Sequence, residues 1–478
     1  DKTFESSKKL NDKPLNVLLA PFNGFAEAIL GIESIVGKSL QLRGHNVSIL
    51  SCNSSLPACQ WNLNGNANPK FLESKIKKFS VNHLDVCKSC HNSLCKVSKS
   101  SEIEITSLSN FYDNNSIKIG EDFLKNKKLE YSDTIFYKGI NISEHAYSTT
   151  IRVMLRGSLE NDTYSKALYR RFLLSAIILV ENLENLFNQK KIDRIFCVHG
   201  IYLEHGILCS VANKLGIPII IYGTPYRKNT IWASNNDTYH REIMNEKNSE
   251  WNNFELNSNM NEKLNSYLFS KVSGGRDNVN YHPNPIIDKE TIFKQLSLSQ
   301  SKPIITLFTN VLWDAQIFYK SNAFNGLLDW IYFTIEKFIK KDDYQILIRI
   351  HPAESKGGFS TAQPLEKEIK NKFPILPEHI KIIPPESDIS SYSLSEVSKA
   401  NIIYGTNMGL EIAARGLPLV IAGECYSRGK GFSYDINNKE QYLSLIEKGF
   451  ELDDLIPPNQ VELARKYAYY LNFKRCVD

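Results

Sequence analysis

At 478 residues, 42% of them hydrophobic, the chain exceeds one ordinary core and is too apolar for disorder, so two domains are expected. Its 57 basic and 52 acidic residues leave a net charge of +5, which argues against a nucleic-acid partner; a basic stretch such as Lys75-Ile76-Lys77-Lys78 reads as a solvated face. No stretch has the apolar length of a membrane span, and nine cysteines, an odd number, suit reduced thiols or a metal better than a disulfide framework, so a cytoplasmic protein is expected.

The apolar run over residues 15–20 reads as a strand, Phe22-Asn23-Gly24 as a turn, and the periodic stretch to about Arg43 as a helix. Gly44 stops that helix before a second strand over 47–50, which makes a βαβ opening. Residues 52–162, irregular and cysteine-rich, read as an insertion into the first domain. A long helix follows over 165–190, then a strand over 192–198, a helix over 204–215 and a strand over 217–222. The polar segment 271–277 and the stretch 283–285 mark the join, giving an amino-terminal domain over 1–290 and a carboxyl-terminal one over 291–478. In the latter, strands are expected over 304–309, 345–350, 379–383, 401–404 and 419–422, with helices between them. Strands alternating with helices imply α/β architecture, with parallel sheets covered on both faces.

Two segments of the second domain carry the chemistry. In Arg349-Ile350-His351-Pro352-Ala353-Glu354, Pro352 stops the strand and leaves His351 just past its carboxyl end, where ligands of open α/β sheets sit. Arg349 suits phosphate oxygens and His351 can donate to a leaving oxygen. In Tyr404-Gly405-Thr406-Asn407-Met408-Gly409-Leu410-Glu411, a hydroxyl and helix-start amides at Thr406, Asn407 and Gly409 would face the same ligand, with Glu411 in the first turn. Asn310 follows the domain's first strand, Ser387 the strand over 379–383, and Glu354 would orient nearby groups. The plainer reading of each is structural: Arg349 in an ion pair, His351 on a carbonyl, Glu411 as a favourable charge at a helix start.

These motifs, with Gly-x-Pro at 416–418, Thr309-Asn310-Val311-Leu312-Trp313-Asp314-Ala315 and Ser234-x-x-Asp237-Thr238-Tyr239-His240, resemble the bacterial capsule polysaccharide biosynthesis proteins over about residues 15–435. The resemblance implies a GT-B glycosyltransferase, with two Rossmann-like domains facing a central cleft and a nucleotide sugar on the carboxyl-terminal one. Relatives with this His-Pro signature use CMP-linked acidic sugars such as Kdo or sialic acid. The expected partners are a nucleotide-sugar donor and a glycan or glycolipid acceptor, with peripheral membrane association compatible with the latter. No cofactor is expected at the donor phosphate, since no Asp-x-Asp follows a strand there. A polyol-phosphate transferase or nucleotide-sugar epimerase on the same scaffold, or a non-catalytic glycan-binding assembly protein, are the alternatives.

An inverting transferase needs a base for the acceptor hydroxyl, and His199, Glu204, Asp237 and His240 are the candidates on the amino-terminal side. Each has an equally good reading as a structural polar residue near a helix terminus. Cys52, Cys59, Cys87 and Cys90 have the composition of a four-thiolate zinc site that would brace the insertion; free thiols are the competing reading.

Overall fold

The computed structural model describes residues 13–60, 84–113, 115–127, 129–159, 163–273, 277, 281, 284–314, 319–320, 322–356, 361–452 and 456–477. The basic stretch at 75–78, residues 274–276 of the polar join, Pro283 and Ala315 lie outside them. The chain forms two compact units: Asp1–Met154, Ser158–Gly223 and Ala233–Tyr239 make the first, and Leu155–Gly157, Thr224–Trp232 and His240–Asp478 the second.

In the first unit the strands are β1 (Asn16–Phe22), β2 (Asn46–Ser51), β3 (Glu104–Ser107), the hairpin β4 (Phe136–Tyr137) and β5 (Ile140–Asn141), β6 (Arg194–Val198), β7 (Ile219–Gly223) and β8 (Trp232–Asn235). The main sheet has the order β3-β2-β1-β6-β7-β8, the doubly wound Rossmann order. Helix Thr163–Gln189 closes its core, burying Leu168, Phe172, Leu173, Ile177 and Leu183 among others.

The second unit repeats the plan with β9 (Ile304–Phe308), β10 (Gln345–Arg349), β11 (Ile380–Ile383), β12 (Ala400–Ile403), β13 (Leu419–Ile421) and β14 (Tyr434–Asp435), ordered β11-β10-β9-β12-β13-β14. β9 and β10 are buried along their whole length, as strands of a sheet covered on both faces must be. The fold class is therefore α/β with two Rossmann-like, predominantly parallel sheets.

Two expectations about organisation need correction. The segment 52–162 is not simply an insertion: it supplies β3, which pairs with β2 from Ser48↔Glu104 to Ser51↔Ser107, and helices that pack on the first core. β3 was illegible because an edge strand of four residues, one of them buried, shows no apolar run. Residues 240–290 belong with the second unit, not the first. Helix Ser258–Ser273 is tied there by Arg415 Nη2, which donates to the Leu268 carbonyl (2.8 Å), and by Arg465 Nη2, which donates to Asn261 and Asn265 (2.9 and 2.8 Å).

Candidate functional site

The register aligns the ends of three neighbouring strands in the second unit. Phe308 of β9 pairs with Arg349 of β10 on one side and with Ile403 of β12 on the other. The residues that follow, 309–310, 350–351 and 404–407, therefore emerge at one level across about 10 Å, two inter-strand spacings. Chain order reverses between β9 and β12, and ligands of doubly wound sheets bind outside the carboxyl ends at that switch point. The tertiary structure thus brings together Asn310, His351 and the Thr406–Gly409 turn, which are up to 99 residues apart in sequence (409 − 310).

His351 is held by its turn. Its backbone N–H donates to Thr309 Oγ1 (3.0 Å), and the Ala353 N–H donates to its Nδ1 (3.1 Å). An Nδ1 that accepts carries no proton, so the neutral ring has its hydrogen on Nε2 and is a donor at that atom. Tyr281 packs edge-on against the ring, with centroids 5.6 Å apart. Asn310 is buried, its Nδ2 donating to the Val311 carbonyl (3.3 Å), while its Oδ1 has no hydrogen-bond partner among the described residues. A buried acceptor left open is costly unless something else donates to it.

Arg349 faces the loop after β11. Only 2% exposed, its guanidinium donates to the carbonyls of Pro384 (2.5 Å) and Ser387 (3.0 Å) and to Ser391 Oγ (3.3 Å). It pins the loop after β11, and burial lowers its pKa to about 10. Ser387 meets it with its main-chain carbonyl, and its Oγ accepts from the Ile389 N–H (3.4 Å). Both residues shape the loop. Trp313 is likewise a packing residue, buried with its indole N–H donated to Thr361 Oγ1 (2.8 Å).

In the Thr406–Glu411 segment, the Met408 N–H donates to Thr406 Oγ1 and the Gly409 N–H to the Thr406 carbonyl, both at 3.4 Å. The amides are thus engaged, through bonds long enough to be exchanged for a stronger acceptor. Asn407 is the N-cap of helix Met408–Ala414 without a side-chain capping bond. Gly409 packs closely on β12: a Cβ there would meet the end of the Ile403 side chain, which would have to shift. Glu411 is committed elsewhere, accepting from Tyr392 Oη (2.6 Å) and pairing with the buried Lys271 ammonium (3.0 Å). Sequence reading missed Lys271 and Tyr392, for which no local pattern signals a partner 140 residues (411 − 271) or 19 residues (411 − 392) away.

Glu354 is a buried carboxyl whose Oε1 accepts from the Leu365 N–H (2.7 Å), and burial raises its pKa to about 7. The folded state therefore keeps this proton up to about pH 7, whereas the unfolded chain releases it near 4.5. Stability contributed by Glu354 is complete below 4.5 and lost as pH rises through 7. Glu354→Gln, which preserves the accepting oxygen, is expected to flatten the fall in denaturant midpoint between pH 4.5 and 7 relative to the wild type. An identical pH dependence in both proteins would show that the carboxyl is not held protonated.

In the first unit the switch point lies between β1 and β6. Phe22, the last residue of β1 (φ 58°), and His199, the residue after β6 (φ 59°), both have left-handed backbone, and such strain concentrates at functional positions. Tyr239 Oη lies 3.0 Å from His199 Nδ1. Glu204 and His205 open the helix Leu203–Lys214, both nearly buried. Burial raises Glu204 to about 7 and lowers His205 to about 3. Of the four base candidates, His199 and Glu204 therefore sit at a ligand-type position. Asp237 does not: its Oδ1 accepts from the Thr238 N–H (2.7 Å) as a local turn.

His240 belongs to the second unit, contrary to expectation. The carboxyl end of its helix, Tyr239–Asn245, is fastened there by the buried Lys430 ammonium, which donates to the carbonyls of Ile243, Met244 and Glu246 (3.2, 3.3 and 2.6 Å). Cations are favourable at helix carboxyl termini. The His240 Nδ1 is approached by the hydroxyls of Tyr319 (2.9 Å) and Tyr426 (2.5 Å).

The expected zinc ligands Cys52, Cys59, Cys87 and Cys90 all lie among the described residues. Among the described residues no three His, Cys, Asp or Glu side chains are grouped to hold a metal. Cys52 is half-buried, and desolvation together with the nearby Glu204 carboxylate pushes its thiol up to about 12. Cys90 Sγ instead accepts from the Gly24 N–H (3.0 Å). No described helix is long and apolar enough to cross a membrane.

No family model matches the sequence, and no curated protein matches it either. Among solved structures it is similar to the beta Kdo 2,4 transferase KpsC of Thermosulfurimonas dismutans, with 9% identity and a TM-score of 0.36 over 57% of this chain and 79% of that one. A glycosyltransferase of Rickettsia africae shares 12% identity at a TM-score of 0.31, covering 96% and 94% of the two chains. The UDP-GlcNAc 2-epimerase of Neisseria meningitidis shares 11% at 0.28, covering 95% and 98%. At such identities and TM-scores these likenesses decide neither reaction nor substrate.

Proposed function

We propose that the chain is a GT-B glycosyltransferase that moves a sugar from a nucleotide-activated donor, of which a CMP-linked acidic sugar is the first to test, to a glycan or glycolipid acceptor. The observation that supports it best is His351 at the carboxyl end of β10, its turn holding the hydrogen on Nε2, at the same sheet end as the open Asn310 acceptor and the Thr406–Gly409 turn. His351 would donate to the departing phosphate oxygen, Thr406 and the following amides would receive the other phosphate oxygens, and Asn310 Oδ1 would accept from a sugar or ribose hydroxyl. Arg349, Ser387, Glu354 and Glu411 would act from behind, holding the loops. The transfer would need no divalent cation at the phosphate, since no Asp-x-Asp follows a strand of this unit.

Melting curves with CMP-, UDP-, GDP- and CDP-linked sugars test the reading, because a ligand that binds only the folded chain raises its transition. One nucleotide class is expected to shift it, by about 2.7 kcal/mol of added stability at a hundredfold excess over Kd. No shift with any of them would remove the donor site. A donor sugar altered without an acceptor would identify an epimerase instead.

A further inference from the structure

We propose that the first unit carries a binding site for a neutral hydroxyl-bearing ligand, a sugar or polyol, whose hydroxyls donate to His205 Nε2 and Gln60 Oε1. The inference goes beyond the transferase reading and does not need it, since it concerns only what the first unit can hold. Both acceptors are buried atoms without a hydrogen-bond partner among the described residues. Both adjoin Glu204: His205 follows it in the chain, and the Gln60 N–H donates to its carboxyl group. His205 is 7% exposed, in the first turn of helix Leu203–Lys214. Its ring stands edge-on to Phe22, the last residue of β1, with centroids 5.4 Å apart. The pair therefore lies at the β1–β6 switch point, where ligands of doubly wound sheets bind.

The tautomer of His205 follows from its partners. The Ala20 carbonyl takes a hydrogen bond from the ring, and a carbonyl only accepts, so with Nε2 unpartnered the donor is Nδ1–H. Burial lowers the ring to about 3, so at neutral pH Nε2 presents a bare lone pair. A buried acceptor left open is destabilising, and two of them beside one carboxyl group are accounted for by a ligand that donates to both. An anion has no proton to give. A cation in so buried a place needs a charged partner, and burial opposes the charge on Glu204 by raising it to about 7. Histidine and glutamate also hold metals, yet among the described residues no three His, Cys, Asp or Glu side chains are grouped for one. Neutral hydroxyls on neighbouring sugar carbons supply both donors.

The full-length protein, its histidine rings labelled with nitrogen-15, is titrated with the methyl glycosides of glucose, galactose and N-acetylglucosamine, and separately with inorganic phosphate and zinc. His205→Asn identifies the His205 signal; it keeps a side-chain N–H where Nδ1–H stands and removes Nε2. Gln60→Met removes Oε1 and keeps the main-chain N–H on Glu204, so it carries the test alone if His205→Asn does not fold. At least one glycoside is expected to move the His205 Nε2 resonance and to raise the melting transition. Its Kd should weaken about 10-fold in either variant, the worth of about one hydrogen bond. A His205 ring protonated on Nε2, a resonance unmoved by all three glycosides, or equal affinity in Gln60→Met and the wild type overturns the proposal. So does a response to zinc or phosphate in place of the glycosides. No nucleotide sugar enters the experiment, so this site and the donor site fail separately.

Discussion

His351→Ala is expected to lose about 10²–10⁴ of the transfer rate, the range of a general acid, and to leave the fold standing. The ring is only half-buried, and its one described side-chain bond within the turn is from the Ala353 N–H. Losing a bond of that kind costs about 0.5–1.5 kcal/mol. His351→Asn sharpens the test, because an Asn side-chain oxygen can accept from the amide two residues on, as Nδ1 does, while offering no donor where Nε2 stands. Both variants should keep the melting transition and lose transfer. Full activity in either one, measured with the donor that stabilises the wild type, would mean that no proton at Nε2 is needed.

Lys271→Met should be the most destabilising single change proposed for the second unit. The ammonium is buried between Asp277 (2.5 Å) and Glu411 (3.0 Å) and faces the rings of Tyr226 and Tyr267 at 5.0 and 4.9 Å. Its pKa is held above the ordinary value, the burial that opposes its charge being outweighed by Glu411 and its other neighbours together. Removing one partner of a buried ion pair strands the other, at about 3–5 kcal/mol. Lys271→Met should therefore lower the unfolding free energy by about that much, and adding Glu411→Gln should recover part of it, because one of the two stranded carboxylates is gone. A loss below about 1 kcal/mol in the single variant, read from denaturant midpoints, would mean that Glu411 is not held by this network and would return it to the list of ligand contacts.

These two residues show what kind of information a sequence carries. The position of His351 was legible because it depends on local order: an apolar run, a strand end and a proline that stops it. The core strands were legible for the same reason, since a sheet covered on both faces demands continuous apolar residues, and β9 and β10 are buried throughout. The edge strands β3, β8 and β14 were missed. They are short, and an edge strand needs pairing on one side only, so composition does not mark it. The domain boundary was misplaced for a related reason. The polar segment near 271–277 looks like a linker, yet Lys271 and Asp277 are members of a charge network whose other carboxylate arrives from residue 411.

Periodicity and turn residues are local properties of the chain, and they were enough to place the two α/β halves, the core strands and the strand end that His351 follows. What each polar group faces came from the packing. Arg349 stands beside His351 in sequence, but β10 pairs in parallel with β11, and that pairing carries the carbonyls of Pro384 and Ser387 to its guanidinium. His240 follows Tyr239 directly, yet Tyr239 reaches His199 while Lys430 fastens the helix to the second unit. A buried cation or imidazole takes whichever partner the packing presents to it, and that partner comes from far along the chain.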